Sequence, residues 1–154
     1  MQISLYSNSP RETREIGRKL GSALKGGDTV LLDGELGAGK TVFTSGIAEA
    51  LGYTGYVTSP TYTIINEYNN LKTVFYHIDA YRVDDPDEIL EAGFEDYINR
   101  QGVVVVEWAS NIEKYAPFNS IRIVIEKSVH GENQREIKME MPQERYMEYE
   151  NIFD

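Results

Sequence analysis

The sequence predicts a three-layer α/β domain with a mixed parallel and antiparallel sheet, and three observations carry that reading. A short apolar run, Thr29–Asp33 (TVLLD), leads straight into a glycine-rich loop and then into a helical pattern. A second apolar run, GVVVVE at 102–107, has the composition of a strand buried on both faces. Two pairs of β-rich runs, at 62–79 and 120–141, each flank a polar turn and read as hairpins. Strand–loop–helix units mixed with hairpins give one sheet covered by helices.

The elements follow in chain order. Residues 2–6 form an edge strand. Ser9, Pro10 and Glu12 open a helix: Ser9 caps it, Pro10 takes the first helical position and Glu12 closes a capping box. Ile16, Leu20, Ala23 and Leu24 recur at helical spacing, and Gly26 and Gly27 end the helix. The first buried strand is Thr29–Asp33, followed by a helix over 41–51 that Gly52 stops. Runs 62–68 and 72–79 pair around Asn69 and Asn70. Asp85 caps a further helix that buries Ile89 and Leu90 and ends at Gly93. The acids between 84 and 96 are explained by capping and solvation rather than by metal binding. Runs 120–126 and 135–141 pair around a polar loop containing Gly131, and 142–149 closes the chain as a helix.

Composition limits the function. The 154 residues suit a single domain spanning 1–154, with no internal repeat or linker. The chain has no cysteine, so disulfides and thiolate metal sites are excluded. The N-terminal stretch turns polar too soon for a secretory signal, and the longest aliphatic run, 103–106, is too short to span a bilayer. A cytoplasmic, membrane-free protein is expected. With a formal net charge of −10 and no basic cluster beyond Arg14, Arg18 and Lys19, direct nucleic-acid binding is not expected.

The chemistry is concentrated in GELGAGKT, residues 34–41. Gly34, Gly37 and Gly39 leave room for backbone N–H groups to surround phosphate oxygens, while Glu35, Leu36 and Ala38 complete the loop. The helix that follows aims its N-terminal dipole at the phosphates, Lys40 adds a cation, and Thr41 presents a hydroxyl to magnesium. Strand before and helix after are the context this motif requires, so the domain reads as P-loop NTPase-like and nucleotide binding is expected. Magnesium also needs an acid at a neighbouring strand end. Asp79 and Glu107 both qualify, and either one would hold the metal or orient the attacking water. His77 shares a strand face with Asp79 and takes a supporting role. Trp108, the lone tryptophan, is placed near the site by its position after Glu107. Thr61, in the loop after the first strand–helix unit, is a candidate γ-phosphate sensor. The lack of a guanine-reading Asn-Lys-x-Asp motif favours adenine.

Four motifs together, GELGAGKT at 34–41, SPTYT at 59–63, HIDAYR at 77–82 and VVVVEW at 103–108, resemble those of the TsaE (YjeE) family. The resemblance runs from about Pro10 to Glu126. Its departures, at Val42, Ala80 and Ala109, remove no polar group that the chemistry needs. It implies the P-loop ATPase of bacterial tRNA threonylcarbamoyladenosine synthesis, using ATP and Mg²⁺ and releasing ADP. Lys40 would bind phosphates, Thr41 magnesium, and Asp79 and Glu107 the metal and the hydrolytic water. Thr61 would lie in a switch segment, Trp108 would report nucleotide binding, and Ser9, Pro10 and Thr13 would contact the adenine. The implied partners are TsaB and TsaD, whose complex would hold the tRNA and be reset by ATP hydrolysis between turnovers. Two rivals remain: a small-molecule or nucleoside kinase, and a nucleotide-binding module that does not hydrolyse ATP. The scarcity of arginines counts against the kinase, which usually needs several over the transferred group, since only Arg82 and Arg100 lie between Tyr53 and Glu107.

Overall fold

One seven-stranded sheet organises the chain in a computed structural model that describes residues 1–60, 64–69 and 72–154. Its strands are β1 (Gln2–Ser7), β2 (Thr29–Asp33), β3 (Ile65–Tyr68), β4 (Phe75–Asp79), β5 (Val103–Glu107), β6 (Ile121–Lys127) and β7 (Arg135–Glu140), in spatial order β1-β7-β6-β2-β5-β4-β3. The centre is parallel, with β2 pairing β5 and β6, and β5 pairing β4. The margins are antiparallel: β3 on β4, and β7 on β6 with β1 outermost. The expected mixed sheet, edge strand and hairpins are all present. Tyr62, Thr63 and the turn residue Asn70 lie outside the described residues.

Period-two burial explains why the central strands need no polar face. Val30, Leu32, Val103 and Val105 pack into one core, with Leu20, Phe43, Ile47 and Tyr149. Leu31, Val104 and Val106 pack into the other, with Ile89, Phe94 and Ile112. The first layer is built by α1 (Pro10–Ala23), α2 (Lys40–Ala50) and α5 (Tyr146–Phe153). The opposite layer contains α3 (Glu88–Glu91), α4 (Phe94–Asn99) and a 3-10 stretch, Ala109–Tyr115. No helix among the described residues is long and apolar enough to cross a membrane.

Some expected boundaries move for local reasons. Ser9 Oγ caps Glu12 N–H at 3.1 Å, but the Glu12 carboxylate returns to the N–H of Asn8, at 2.6 Å, rather than to Ser9. Helix α1 stops at Ala23, ahead of Gly26 and Gly27, because Asp28 folds the chain back by accepting from Lys25 N–H at 2.7 Å. The helix expected from Asp85 begins only at Glu88, since the Asp85 carboxylate caps the N–H of Asp87 at 3.0 Å. It lasts four residues, and Gly93, at φ 86°, turns the chain into α4. So short a helix buries Ile89 but leaves Leu90 36% exposed, a correction to the inward position expected for it. The closing helix starts with a 3-10 turn at Gln143–Arg145 and becomes α-helical at Tyr146. Arg145 anchors it by pairing with Asp28 and donating to Ala23 O.

Candidate functional site

Parallel register brings three carboxylates, Asp33, Asp79 and Glu107, to one end of the sheet. Asp79 stands opposite Glu107, and Glu107 opposite Leu32, so β2, β4 and β5 end together. Ligands of open α/β sheets bind at such carboxyl ends. The glycine loop leaves β2 here, and α2 starts from it at Lys40.

Loop conformation depends on its glycines. Gly37 and Gly39 adopt φ of 76° and 107°, the left-handed region that side chains disfavour. Arg135, from the distant hairpin, braces the outer side of the loop by donating from Nε to Ala38 O at 2.9 Å and from Nη2 to Gly37 O at 3.4 Å. With the Ala38 carbonyl held outward, the Gly39 N–H of the same trans peptide points the other way. The free N–H groups and dipole of α2 point to the same end, an arrangement suited to an anion.

A cleft of about 450 Å³ opens beside the loop, lined among others by Lys40, Thr41, Ser59, Asp79, Glu107 and Trp108. Lys40 is buried, and its ammonium donates to Gly34 O at 2.6 Å and to Glu35 O at 2.9 Å. Burial lowers its pKa, an effect opposed by the charges of Glu107, Asp79, Asp33 and Glu35. Above that ammonium lies the Trp108 ring, 4.2 Å from nitrogen to ring centroid, and Tyr81 packs against the same indole at a tilt, 4.9 Å between centroids. Trp108 holds φ 56°, a strained conformation that costs about 1–3 kcal/mol and turns the indole over the cleft. Leu36, at the loop tip, is 69% exposed.

Glu107 is 2% exposed and both of its oxygens are engaged. Oε1 accepts from Thr41 Oγ1 at 3.1 Å, and Oε2 contacts Nε2 of the fully buried His77. Thr41 Oγ1 also lies 3.0 Å from Ser59 Oγ. Asp79 accepts from Tyr81 N–H at 2.9 Å. Burial raises the Asp79 pKa, the Tyr81 N–H opposes the rise and the Glu107 charge adds to it. Two backbone links hold these strand ends together: Ala80 N–H donates to Glu107 O at 3.0 Å, and Ser110 N–H to Asp33 Oδ1 at 3.0 Å.

The raised Asp79 pKa has a consequence for stability. The folded chain binds this proton more tightly than the unfolded chain does. The resulting stabilisation is complete below the ordinary carboxylate range and is lost as pH rises through the raised value. Asp79→Asn keeps an acceptor for Tyr81 N–H without the charge. Its urea midpoint is expected to exceed that of the wild type at neutral pH, and the gain to shrink toward about pH 3. A gain that does not change with pH would show that charge burial is not the cause.

A smaller cavity of about 120 Å³ continues past the loop and shares Gly37, Gly39 and Val42 with the cleft. Pro10 and Thr13 line it together with Asn133 and Arg135. Ser9 does not line it, because its hydroxyl is occupied in capping α1. Thr13 bonds Ser7 across 2.7 Å. Thr61 lies outside the described residues. Five lining residues were absent from the expected set: Val42, Ser59, Tyr81, Asn133 and Arg135. Ser59 and Tyr81 were within quoted motifs and are identifiable by their neighbours, but nothing local marks Asn133 or Arg135.

The donor set fits magnesium and phosphate. Thr41 and Ser59 hydroxyls with Asp79 and Glu107 carboxylates offer hard oxygens, and the loop leaves further coordination to phosphate and water. No group of three or more His, Cys, Asp or Glu residues suited to a metal occurs among the described residues.

Fold and cleft together define a P-loop NTPase-like α/β protein. A sequence model of the family described as threonylcarbamoyl adenosine biosynthesis protein TsaE matches residues 7–137. The chain is 43% identical over 145 residues to tRNA threonylcarbamoyladenosine biosynthesis protein TsaE of Bacillus subtilis, across 94% of this chain and 89% of that one. It is 36% identical to the protein of the same name from Nostoc, across 86% and 83%. The crystal structure of Bacillus subtilis YdiB is similar with a TM-score of 0.81 and 37% identity, across 99% and 95% of the two chains. The chain belongs to the TsaE family.

Proposed function

We propose that this chain is a magnesium-dependent ATPase that binds the TsaB–TsaD complex and supports repeated rounds of threonylcarbamoyl transfer to tRNA adenosine. One observation carries the reading: Lys40, Thr41, Asp79 and Glu107 converge on one cleft at the N-terminus of α2.

Each residue has a part in that reading. Backbone N–H groups between Gly34 and Thr41 hold the phosphate oxygens, and Lys40 gains a polyanionic partner for its buried charge. Thr41 and one of the carboxylates, Glu107 or Asp79, hold magnesium, which supplies neutralisation of phosphate charge when bound. The remaining carboxylate orients a water molecule for attack on the γ-phosphate. Trp108 and Tyr81 cover the phosphate side and limit access of bulk water, so Trp108 fluorescence reports nucleotide binding. Pro10 and Thr13, with Ser9 behind them, form the wall on the adenine side, and Thr61 senses the γ-phosphate. Hydrolysis to ADP resets the partner complex, which holds the tRNA, in the cytoplasm.

Phosphate release from ATP tests this, measured with the chain alone and with a purified TsaB–TsaD pair. Slow release alone and a clear rise with the pair are expected. Full activity alone with no response to the pair would overturn the partner-driven reading, and a phosphorylated small-molecule product in place of free phosphate would identify a kinase.

A further inference from the structure

Among the buried groups, His77 stands out because it touches the reacting region only through another residue. It sits on β4, opposite Val105 of β5 in register. Its ring is fully buried and stacks near-parallel on Phe75, 6.3 Å between centroids and 15° between planes. Nε2 meets Glu107 Oε2, while Nδ1 has no hydrogen-bond partner among the described residues. An ionised carboxylate only accepts, so the imidazole supplies the proton at this contact and Nε2–H is the donor. A neutral ring then leaves Nδ1 as a bare acceptor, which a buried site tolerates better than an orphaned N–H.

We propose that His77 is a positioning residue for the TsaE reaction: its Nε2–H holds Glu107 Oε2, so that Oε1 is presented to Thr41 and the cleft. The inference rests on the ATPase reading above. A free glutamate side chain samples many rotamers, and ordering one costs up to roughly 2 kcal/mol. Here the ordering is built into the sheet. Strand register fixes His77 beside Glu107, Phe75 fixes the ring plane, and Thr41 engages the second oxygen. Glu107 is thus oriented before nucleotide arrives, the kind of supporting contact whose loss commonly lowers activity roughly 10- to 100-fold.

Four measurements test it. His77→Leu should lower kcat for phosphate release by roughly 10- to 100-fold with little change in KM for ATP. His77→Gln, whose side-chain N–H₂ reaches the same place as Nε2, should restore most of the loss. In a Glu107→Gln background His77→Leu should have no further effect on kcat, whereas a residue needed only for folding would lower both backgrounds alike. Nitrogen NMR of the nucleotide-free chain should find His77 protonated at Nε2, with that proton's resonance displaced by Glu107→Ala. A proton at Nδ1 instead, equal damage from the Gln and Leu variants, or unchanged kcat in His77→Leu would each overturn the inference. Wild-type protein that releases no phosphate with or without the TsaB–TsaD pair would instead overturn the ATPase reading, and the NMR result would still decide whether His77 orients Glu107.

Discussion

Glu107→Gln is expected to bind ATP about as well as the wild type and to release phosphate some 10²- to 10⁴-fold more slowly (about 10³-fold as a central value). In the proposed reading binding survives because phosphate contacts fall to the loop backbone and Lys40, and Lys40 is held by the Gly34 and Glu35 carbonyls rather than by Glu107. Hydrolysis fails because an amide neither takes a proton from water nor supports magnesium as a carboxylate does. The amide is close in shape, so its oxygen can still accept from Thr41, while its N–H₂ takes the place beside His77 and requires that ring to carry its proton on Nδ1. Glu107→Ala removes both contacts in a buried region and is the less clean variant, since unpaired polar groups there cost about 1–3 kcal/mol each. With the TsaB–TsaD pair, either variant should support early turnover and then stall. Normal modification over many turnovers would remove hydrolysis from the working cycle and favour a module that only binds nucleotide. If Asp79→Asn shows the deficit and Glu107→Gln does not, the two carboxylates exchange roles.

What the sequence revealed depended on whether the signal was local. Thr29–Asp33 and Val103–Glu107 were readable because a strand buried on both faces must be apolar throughout. The glycine loop was readable because its motif fixes both residue types and spacing within eight consecutive positions. The same holds for the Ser9 cap of α1, which needs only neighbours in sequence. The contact between His77 and Glu107 needs the register of β4 on β5. Arg135 reaches the loop from 97 positions away, so no window of sequence contains both partners. Leu90 was misplaced because the pattern of Ile89 and Leu90 does not reveal that the helix lasts a single turn before Gly93. Gly17, Gly21 and Gly46 were also silent: a glycine within a helical pattern carries no signal that another backbone lies against it.

Those glycines yield the second large effect, and its sign opposes helix propensity. Helices α1 and α2 meet backbone to backbone. A Cβ on Gly46 would lie 2.0 Å from Arg14 O and 2.8 Å from Arg18 N, and one on Gly17 would lie 2.2 Å from Phe43 O. These neighbours are main-chain atoms and have no rotamer to change, so one helix must move. In an open helix Gly→Ala stabilises by about 1 kcal/mol. At Gly46 it is expected to destabilise by about 3 kcal/mol, the upper part of the usual overpacking range. For a chain of this size that lowers the melting temperature by roughly 6–12 °C. The displacement also reaches the site. The first turn of α1 sets Pro10 and Thr13 against the smaller cavity, with Thr13 Cγ2 3.6 Å from where a Cβ on Gly39 would stand. Gly46→Ala should therefore weaken ATP binding while kcat at saturating ATP stays near the wild-type value, because Lys40, Thr41 and Glu107 belong to α2 and the sheet. Thermal melts and an ATP titration measure the two halves separately. A variant as stable as the wild type would mean that the helices separate without loss. A destabilised variant with undiminished ATP affinity would mean that α1 contributes to the fold alone and that the wall at Pro10 and Thr13 has no part in holding the nucleotide.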